Sequence, residues 1–234
     1  MKTDAHVRID YIIDGDTVVL KDGKRIRLIG IDTPEIGYKG NASQPGAEDA
    51  RDFVRGLISP DHLYQLHYGI EQQDHHGRSL AHLFLTDGRN LQALLLAQGY
   101  ATSLNIPPNL RYSECYQQQV QAAIQAKLGI WNLKQYQPIS AKALTGKENG
   151  YRIVYGQVTS VTNGASSLWL NLRRQLAIRI THDDLQHFPD IHPETLTGKI
   201  IQVRGKLYRH KNQLRLRLRH HSDLKIMSAP DGRN

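Results

Sequence analysis

Short runs of apolar residues that alternate with polar ones dominate the N-terminal part of the chain, and this pattern predicts half-buried β-strands. Two such strands are predicted over residues 63–70 and 78–90. Three more lie within residues 6–31 and are separated by Asp-Gly turns, as expected for hairpins. Their sequences are HVRIDYII, TVVL and KRIRLIGI.

Apolar residues recur with helical spacing in three places. Residues 37–46, before the first of these, are rich in Gly, Ser, Asn and Pro, so we predict a loop there. A short apolar helix is predicted to end at Gly99. A longer helix, capped by Ser113 or begun slightly earlier, is predicted to end at Gly129. The first helix, over residues 47–58, has an apolar face formed by Ala47, Ala50, Val54 and Leu57.

The pattern weakens after Trp131, and the Pro, Ser and Gly residues that follow predict a linker over residues 132–150. Five short strands then follow, with a short helix predicted between the third and the fourth, and this order suggests a small β-barrel. We therefore predict a mainly β protein with helices (α+β) and two domains, 6–131 and 151–227. The five strands are predicted at 152–162, 166–172, 175–181, 199–209 and 213–220.

Positive charge is concentrated in the second predicted domain. Residues 1–150 contain 16 Lys and Arg against 16 Asp and Glu, whereas residues 151–234 contain 14 against 6. The whole net charge of +8 therefore lies in the last third of the chain. A concentrated basic surface favours polyanions such as nucleic acids, and the alternative interpretation is a surface that is charged only for solubility.

Other features of the sequence narrow the class of protein. No apolar run approaches the roughly 18 residues that a membrane helix needs, so no membrane insertion is expected. The first residues, MKTDAHVRIDY, lack the apolar centre of a signal peptide. Cys115 is the only cysteine, so no intrachain disulfide is expected.

Carboxylates and arginines collect at predicted strand ends and turns. Carboxylate oxygens and a main-chain carbonyl suit a hard cation such as Ca²⁺, and two guanidinium groups suit a phosphate whose charge grows in the transition state. A further carboxylate can orient or deprotonate water, so the set indicates phosphodiester hydrolysis. Each motif alone is typical of an ordinary turn; the three are DGDT at 14–17, Arg27 with DTPE at 32–35, and DHHGR at 74–78.

These motifs resemble those of the thermonuclease, or staphylococcal nuclease-like, family over residues 6–131. The resemblance implies a five-stranded barrel of the oligonucleotide-binding (OB) type with three helices. It also implies a Ca²⁺-dependent endonuclease that acts on DNA and RNA, cuts the P–O5′ bond and leaves 3′-phosphates. The resembling segments are IIDGDTVVL, IRLIGIDTPE, DHHGRSLAHLF, NLQALLLAQGYA and AAIQAKLGIW.

The same resemblance implies a role for six residues. Asp16 and Asp32 match the family's Ca²⁺-binding carboxylates, and Thr33 matches a residue whose carbonyl is a further ligand. Glu35 matches the carboxylate that positions or activates the attacking water. The arginines that grip the phosphate and stabilise the five-coordinate transition state correspond to Arg27 and Arg78.

The chain departs from the family beside the third motif, where His75-His76 replaces a Lys-Tyr pair that contacts the terminal phosphate. The family's base-contacting tyrosines have no clear counterpart around Asn105 and Pro107. We expect catalysis to survive these changes, whereas base preference, affinity and pH profile do not follow from the resemblance. One hypothesis is that His75 or His76 makes binding weaken as the pH rises through roughly 6–7; the alternative is that both are merely exposed.

The segment QLRLRLRH, residues 213–220, alternates leucines with arginines, so it predicts a strand with one apolar and one basic face. One interpretation is a basic stripe on a barrel that binds nucleic acid. The other is an edge strand whose charges prevent aggregation. The basic face would consist of Arg215, Arg217 and Arg219.

Two functions from different classes remain open at this point. The first is a Ca²⁺-dependent nuclease for single-stranded or locally melted DNA and RNA, with a basic C-terminal domain that aids binding. The second is a catalytically inactive nuclease-like scaffold that binds nucleic acid or a protein. A protein partner for the C-terminal domain is a further hypothesis, and the family resemblance favours an exported bacterial enzyme.

Overall fold

The computed structural model describes residues 5–172 and 176–227, and the chain divides after Leu133 into two compact units. Each unit has its own set of strands and its own core. The boundary differs from the expected one, because residues 134–150, for which we expected a linker, belong to the second unit.

The first unit contains a curled six-stranded sheet and a separate pair of strands. The sheet has the order β1-β6-β7-β4-β3-β2, and β5 pairs with β8. The strands are β1 (Ala5–Val7), β2 (Ile9–Asp14), β3 (Thr17–Leu20), β4 (Arg25–Leu28), β5 (Gly30–Asp32), β6 (Tyr64–Gln73), β7 (Ser79–Phe84) and β8 (Thr102–Leu104).

The pairing of these strands is that of an OB-type barrel. β1 and β2 are two halves of one strand interrupted at Arg8, and β1 pairs with β6 while β2 pairs with β3. β4 and β7 are parallel, and the other pairs in this sheet are antiparallel. This arrangement confirms the expected barrel. Its interior includes the fully buried Ile26, Leu28, Leu66 and Leu83.

Three helices complete the first unit: α1 (Ala47–Leu57), α2 (Leu91–Ala97) and α3 (Ser113–Gln125). Helix α1 buries Ala47, Ala50 and Val54, as its spacing predicted. Helix α2 ends as predicted, because Gly99 has a φ of +73° and its N–H donates to the Leu96 carbonyl. No helix in residues 5–172 or 176–227 is long and apolar enough to cross a membrane.

Both predicted ends of α3 need correction. The helix begins at Ser113, but Tyr112 is its N-cap residue and no side chain caps it. It stops at Gln125, before the expected Gly129, because Lys127 already takes the left-handed conformation with a φ of +52°. A residue in this conformation redirects the chain and ends the α-helix.

The second unit contains the short helix α4 (His182–Leu185), which lies where a helix was predicted between the third and fourth strands. Its eight strands form one sheet. They are β9 (Pro138–Ser140), β10 (Gly150–Gln157), β11 (Ser160–Asn163), β12 (Ser167–Leu172), β13 (Leu176–Thr181), β14 (Ile200–His210), β15 (Gln213–Leu218) and β16 (Leu224–Met227).

This sheet repeats the strand order of the first barrel. It runs β11-β12-β13-β15-β14-β10-β9, and β16 pairs with β14. If β10 and β11 are taken as halves of one bent strand, the order matches that of the first unit, including the parallel pair β13 and β15. The side chains inside it include Leu170, Ile178, Ile201 and Leu216, all fully buried.

Part of the expected linker is built into this second core. β9 pairs in parallel with β10, and Ala141 and Leu144 are buried among the core side chains. The Pro and Gly residues that predicted a linker here break helices but do not prevent a short edge strand. Gln175, the first residue of the predicted third strand, lies outside the described residues.

Candidate active site

Hairpin geometry brings the first two motifs together. Asp16 lies in the turn between β2 and β3, Arg27 lies on β4, and Asp32 ends β5. The N–H of Leu28 donates to the carbonyl of Asp16 at 2.8 Å, so the turn is held against β4. Residues distant along the chain therefore meet at one end of the barrel.

Asp16 is the buried centre of this cluster, with a relative exposure of 3%. Its Oδ2 accepts a hydrogen bond from the Thr33 N–H at 2.8 Å, and its Oδ1 accepts one from the Thr17 hydroxyl at 3.1 Å. Burial raises the pKa of Asp16 to about 7, and the charges of Asp14 and Asp32 act in the same direction. A carboxylate in such surroundings favours a nearby cation.

Arg27 bridges two of the carboxylates. Its Nη1 lies 2.9 Å from Oδ2 of Asp16, and its Nη2 lies 3.1 Å from Oδ1 of Asp32. Nη1 also donates to the Leu28 carbonyl at 3.1 Å. These contacts fix the plane of the guanidinium group at the edge of the cluster, where only 11% of the side chain is exposed.

Arg78 approaches the same cluster from the loop before β7. Its Nη1 donates to the Thr17 hydroxyl at 3.4 Å, and its Nε lies 2.8 Å from Oδ2 of Asp74. Although burial opposes it, hydrogen bonds from Arg78 and from the N–H of His76 hold the pKa of Asp74 below its usual range. Asp74 therefore stays charged and orients Arg78.

His75 and His76 lie in the exposed turn that precedes Arg78, and their ring centroids are 3.8 Å apart. The turn is closed by Asp74, whose Oδ1 accepts from the N–H groups of His76 and Arg78 at 2.9 Å each. The position beside Arg78 agrees with a role in binding, and this role remains a prediction.

Glu35 lies in the segment after β5, two residues beyond Thr33. It is exposed, and its N–H donates to Oε1 of Gln44 at 3.3 Å. Burial raises the pKa of Asp14, and the charge of Glu35 adds to this effect. Contacts thus join five of the six residues singled out by the resemblance, Arg78 through Thr17, whereas the placement of Glu35 in the site remains a prediction.

The chemistry of the donor atoms suits a hard cation. The carboxylates of Asp16 and Asp32 both pair with Arg27, and Asp14 accepts from the N–H of Asp16. The available ligand atoms are oxygens, which Ca²⁺ prefers. Residues 5–172 and 176–227 contain no group of three or more His, Cys, Asp or Glu side chains placed to hold a metal ion. A bound cation would therefore need carbonyl or water ligands besides two carboxylates.

Three contributors to this site escaped the prediction from sequence. Asp14 accepts from the N–H of Asp16 at 3.1 Å, Thr17 links Asp16 to Arg78, and Asp74 holds Arg78. All three lie within the motifs already identified, so the sequence pattern that could have pointed to them was present. Their roles as supports depend on contacts across the fold, which the sequence does not display.

In the second unit, the predicted alternation is confirmed: Leu214, Leu216 and Leu218 are buried, while Arg215, Arg217 and Arg219 are partly exposed. The edge-strand interpretation is wrong, because β15 lies between β13 and β14. Charges in the middle of a sheet do not protect an edge. One member of the stripe, Arg217, is paired with Asp184 at 2.8 Å.

Comparison with known proteins agrees with the geometry of the first unit. The profile of the family described as staphylococcal nuclease homologue matches residues 25–133. Thermonuclease of Staphylococcus intermedius is 35% identical over 126 residues, which cover 53% of this chain and 74% of that protein. Endonuclease YncB of Bacillus subtilis (strain 168) is 34% identical over 136 residues, which cover 56% of this chain and 64% of that protein.

The first unit is an OB-type barrel that carries an acidic cluster bridged by Arg27, and its relatives are named as nucleases. The first unit is therefore a nuclease domain. The chain belongs to the family of staphylococcal nuclease homologues. The family match ends at residue 133, where the first unit also ends.

Proposed function

We propose that the protein is a Ca²⁺-dependent endonuclease that hydrolyses DNA and RNA at the P–O5′ bond and leaves 3′-phosphates. The observation that carries the proposal is the bridge of Arg27 to Asp16 and Asp32, with Arg78 linked to the same cluster through Thr17. Positive and negative groups are thus placed side by side, as a cation and a phosphate together require.

Asp16, Asp32 and the carbonyl of Thr33 would hold the cation. When bound, Ca²⁺ supplies positive charge that polarises the phosphate and offsets the negative charge of the carboxylates. The N–H of Thr33 already donates to Asp16 at 2.8 Å, which fixes the chain direction at this ligand. The donor set contains only oxygen, in agreement with a hard cation.

Arg27 and Arg78 bind the phosphate and stabilise the charge that grows on its oxygens. Guanidinium groups suit this task because their planar N–H donors match phosphate oxygens. Asp74 and Thr17 orient Arg78, while the carboxylates orient Arg27. Groups that are held before the substrate arrives need no reorganisation during the reaction.

Glu35 orients the attacking water and accepts its proton. Its exposure leaves it accessible to water and substrate, and its charge acts on Asp14 within the cluster. As the water oxygen bonds to phosphorus, its proton passes to Glu35 and the P–O5′ bond breaks. The departing O5′ takes up a proton from solvent to become a hydroxyl, and Glu35 then releases its proton to solvent. Such a base contributes typically 10²–10⁴-fold to the rate.

The basic second unit aids the binding of nucleic acid. Its charge would raise the local concentration of substrate through phosphate contacts. The support for this part of the proposal is the position of the excess charge of +8, all of which lies in residues 151–234.

Digestion of single-stranded DNA and of RNA with Ca²⁺, and again with excess chelator, tests the proposal. We expect cleavage with Ca²⁺, none with chelator, and products that carry 3′-phosphates, detected by their conversion with a 3′-phosphatase. Undiminished substrate in both samples, from protein shown to be folded, would instead support the inactive binding scaffold. Cleavage products with 3′-hydroxyls would contradict the proposed bond.

A further inference from the structure

The outer face of the second barrel carries a partly exposed tryptophan between two arginines. The Cζ atom of Arg215 lies 4.7 Å from the centroid of the Trp169 ring, and that of Arg179 lies 5.8 Å from it. Both distances are within the range of a cation–π interaction. The Nε of Arg179 also donates to the hydroxyl of Ser167 at 2.8 Å, which fixes its guanidinium group. We call Trp169, Arg179 and Arg215 the Trp169 cluster.

A small residue allows the arginine of a distant strand to reach this tryptophan. Trp169 lies on β12 and Arg215 on β15, and β13 runs between these two strands. Ala177 of β13 is the direct partner of Arg215. Because alanine projects little from the sheet, the long side chain of Arg215 can cross β13 and lie against the indole.

Among the described residues, no neighbouring acid neutralises the charge of this cluster. Within the part of the chain that the structure describes, the ion pairs of this face include Arg217 with Asp184 but none for Arg179 or Arg215. The Nε of Arg215 is buried and makes no hydrogen bond to the described residues. Arg179 and Arg217 are also direct partners in the β13–β15 pair. Like charges opposite each other are destabilising, and Asp184 offsets the charge of Arg217 but forms no ion pair with Arg179.

We propose that the Trp169 cluster is a binding site for single-stranded nucleic acid, in which the guanidinium groups contact phosphates and an unstacked base packs on the exposed part of the indole. This inference rests on the proposed function, in which the second unit aids the binding of nucleic acid, and it assigns that binding to particular residues on one face of the unit. Tyr208, which is 40% exposed and pairs with Arg215 across β14 and β15, extends the same face.

The chemistry of the cluster favours single strands over duplex. Every base has a π-face, but in a duplex these faces are covered by the neighbouring base pairs, so an aromatic side chain meets them only in a single strand. Arginine stripes without aromatic residues bind the phosphates of either form. We therefore expect the combination of one indole with uncompensated guanidinium groups to favour single-stranded nucleic acid over duplex.

Tryptophan fluorescence of the full chain gives a direct test. The protein has two tryptophans; Trp131 is 2% exposed, whereas Trp169 is partly exposed and is the one that a base can quench. Titration with a 12-nucleotide oligo(dT) in chelator, which prevents cleavage, should quench the emission. A duplex of matched length should bind about tenfold more weakly and quench less, by the scale of base stacking on aromatic residues.

Variants separate this site from general electrostatics. We expect Arg215→Gln to weaken oligo(dT) binding about tenfold and to reduce the salt slope by about 0.7, the value for one phosphate contact with a single strand. Trp169→Phe, which preserves an aromatic ring beside the two arginines, should abolish the quench and retain the fold. Lys225→Gln removes the same charge from an exposed position on β16 and should change binding less than twofold.

Unchanged Trp169 emission on oligo(dT) binding would overturn the inference. So would equal affinity for duplex, equal effects of Arg215→Gln and Lys225→Gln, or an equal quench by polyglutamate, which would indicate an acidic protein segment as the ligand. The outcome is distinct from that of the proposed function. If the protein cuts DNA but shows no quench, the proposed nuclease activity stands and the Trp169 site is refuted. If it shows the quench but does not cut DNA, the Trp169 site stands and the nuclease activity is refuted.

Discussion

Arg27 and Arg78 contribute to the site in different ways, although both are expected to bind phosphate. Arg27 lies 2.9 Å from the buried Asp16, so it also compensates the charge of that carboxylate. Arg78 is paired with the partly exposed Asp74 and is itself 24% exposed. Loss of Arg27 should therefore affect both catalysis and stability, whereas loss of Arg78 should affect mainly catalysis.

We expect Arg27→Gln and Arg78→Gln each to lower kcat by about 10²–10³, the effect of removing one preorganised donor of charge. Arg27→Gln should also lower the stability of the metal-free protein by about 3 kcal/mol, because it leaves a buried carboxylate without its partner. Cleavage rates with Ca²⁺ and urea unfolding with chelator measure the two effects. Arg89→Gln is the matched control, since Arg89 forms a similar turn pair with Asp87 outside the site; a comparable loss there would contradict the assignment.

His82 makes the stability of the first unit depend on pH. Burial lowers its pKa to about 3, with further contributions from the charges of Arg111 and His67. Its Nδ1 lies 2.8 Å from the hydroxyl of Tyr116. Between pH 6.5 and about 3 the unfolded chain binds a proton at this residue that the folded chain does not. The contribution of neutral His82 to the free energy of unfolding is therefore fully present above pH 6.5 and is lost as the pH falls from 6.5 toward 3.

From this residue alone we expect the free energy of unfolding to fall by about 2 kcal/mol between pH 6.5 and pH 5. Urea unfolding of the first unit, followed by Trp131 emission in a Trp169→Phe background, measures it. His82→Gln does not titrate and should remove this part of the slope, whereas His75→Gln, an exposed control, should retain it. An identical slope in His82→Gln and the parent would refute the assignment.

The charged residues of the site could be singled out from sequence because their motifs combine turns with charged groups, but their roles followed from the family resemblance and remain predictions. Asp16, Arg27 and Asp32 follow hairpin strands whose pairing fixes where their side chains meet. Their supports could not be predicted in the same way. Asp74 is four residues from Arg78, but nothing local indicates that its carboxylate would accept from both the backbone and the side chain of that arginine.

At the scale of elements, two glycines allow the end of α2 to approach the segment after α3. A Cβ on Gly129 would lie 2.3 Å from the carbonyl oxygen of Gly99, and one on Gly99 would lie 2.3 Å from that of Leu128. The N–H of Ile130 donates to the Gly99 carbonyl at 2.8 Å across this contact. The approach brings Trp131 into the core, where it is 2% exposed.

Gly129→Ala should therefore destabilise the first unit by about 2–3 kcal/mol, from backbone strain at a positive φ together with the collision. Gly88→Ala is the matched control: Gly88 also has a positive φ, of +81°, but nothing lies within 4 Å of its Cβ position. We expect that variant to lose only about 1 kcal/mol. Urea unfolding of both variants measures these losses in the free energy of unfolding. Equal losses would show that the close approach at Gly129 adds nothing to the strain of a positive φ.

The pattern of apolar residues predicted most elements but not their interruptions. Alternation identifies a strand, yet it does not reveal that Arg8 separates β1 from β2, because side chains keep alternating through the break. The end of α3 was missed because Lys127 adopts a conformation usual for glycine. β9 was missed because its three residues are too few to show a period.

At the scale of the whole molecule, two barrels with the same strand order carry different charge. Residues 1–150 have balanced charges, and the excess of +8 lies in residues 151–234. The acidic cluster of the first unit suits a cation, whereas the Trp169 cluster of the second unit suits phosphates. A small second barrel could be predicted from the order of its elements, but the position of β15 inside the sheet depends on its parallel pairing with β13, which the sequence does not show.

This division of charge predicts the effect of ending the chain at Leu133, the last residue of the first unit. Binding of a noncleavable oligonucleotide should weaken, and its dependence on salt should become shallower by about 0.7 for each phosphate that the shortened chain no longer binds. The rate at saturating substrate should stay within about twofold, because the groups assigned to catalysis all lie before residue 133. The emission of Trp131, then the only tryptophan, reports whether the shortened chain is folded. If the folded, shortened chain keeps the salt slope of the full chain, its phosphate contacts all belong to the first unit, and the positive charge of the second unit serves another purpose.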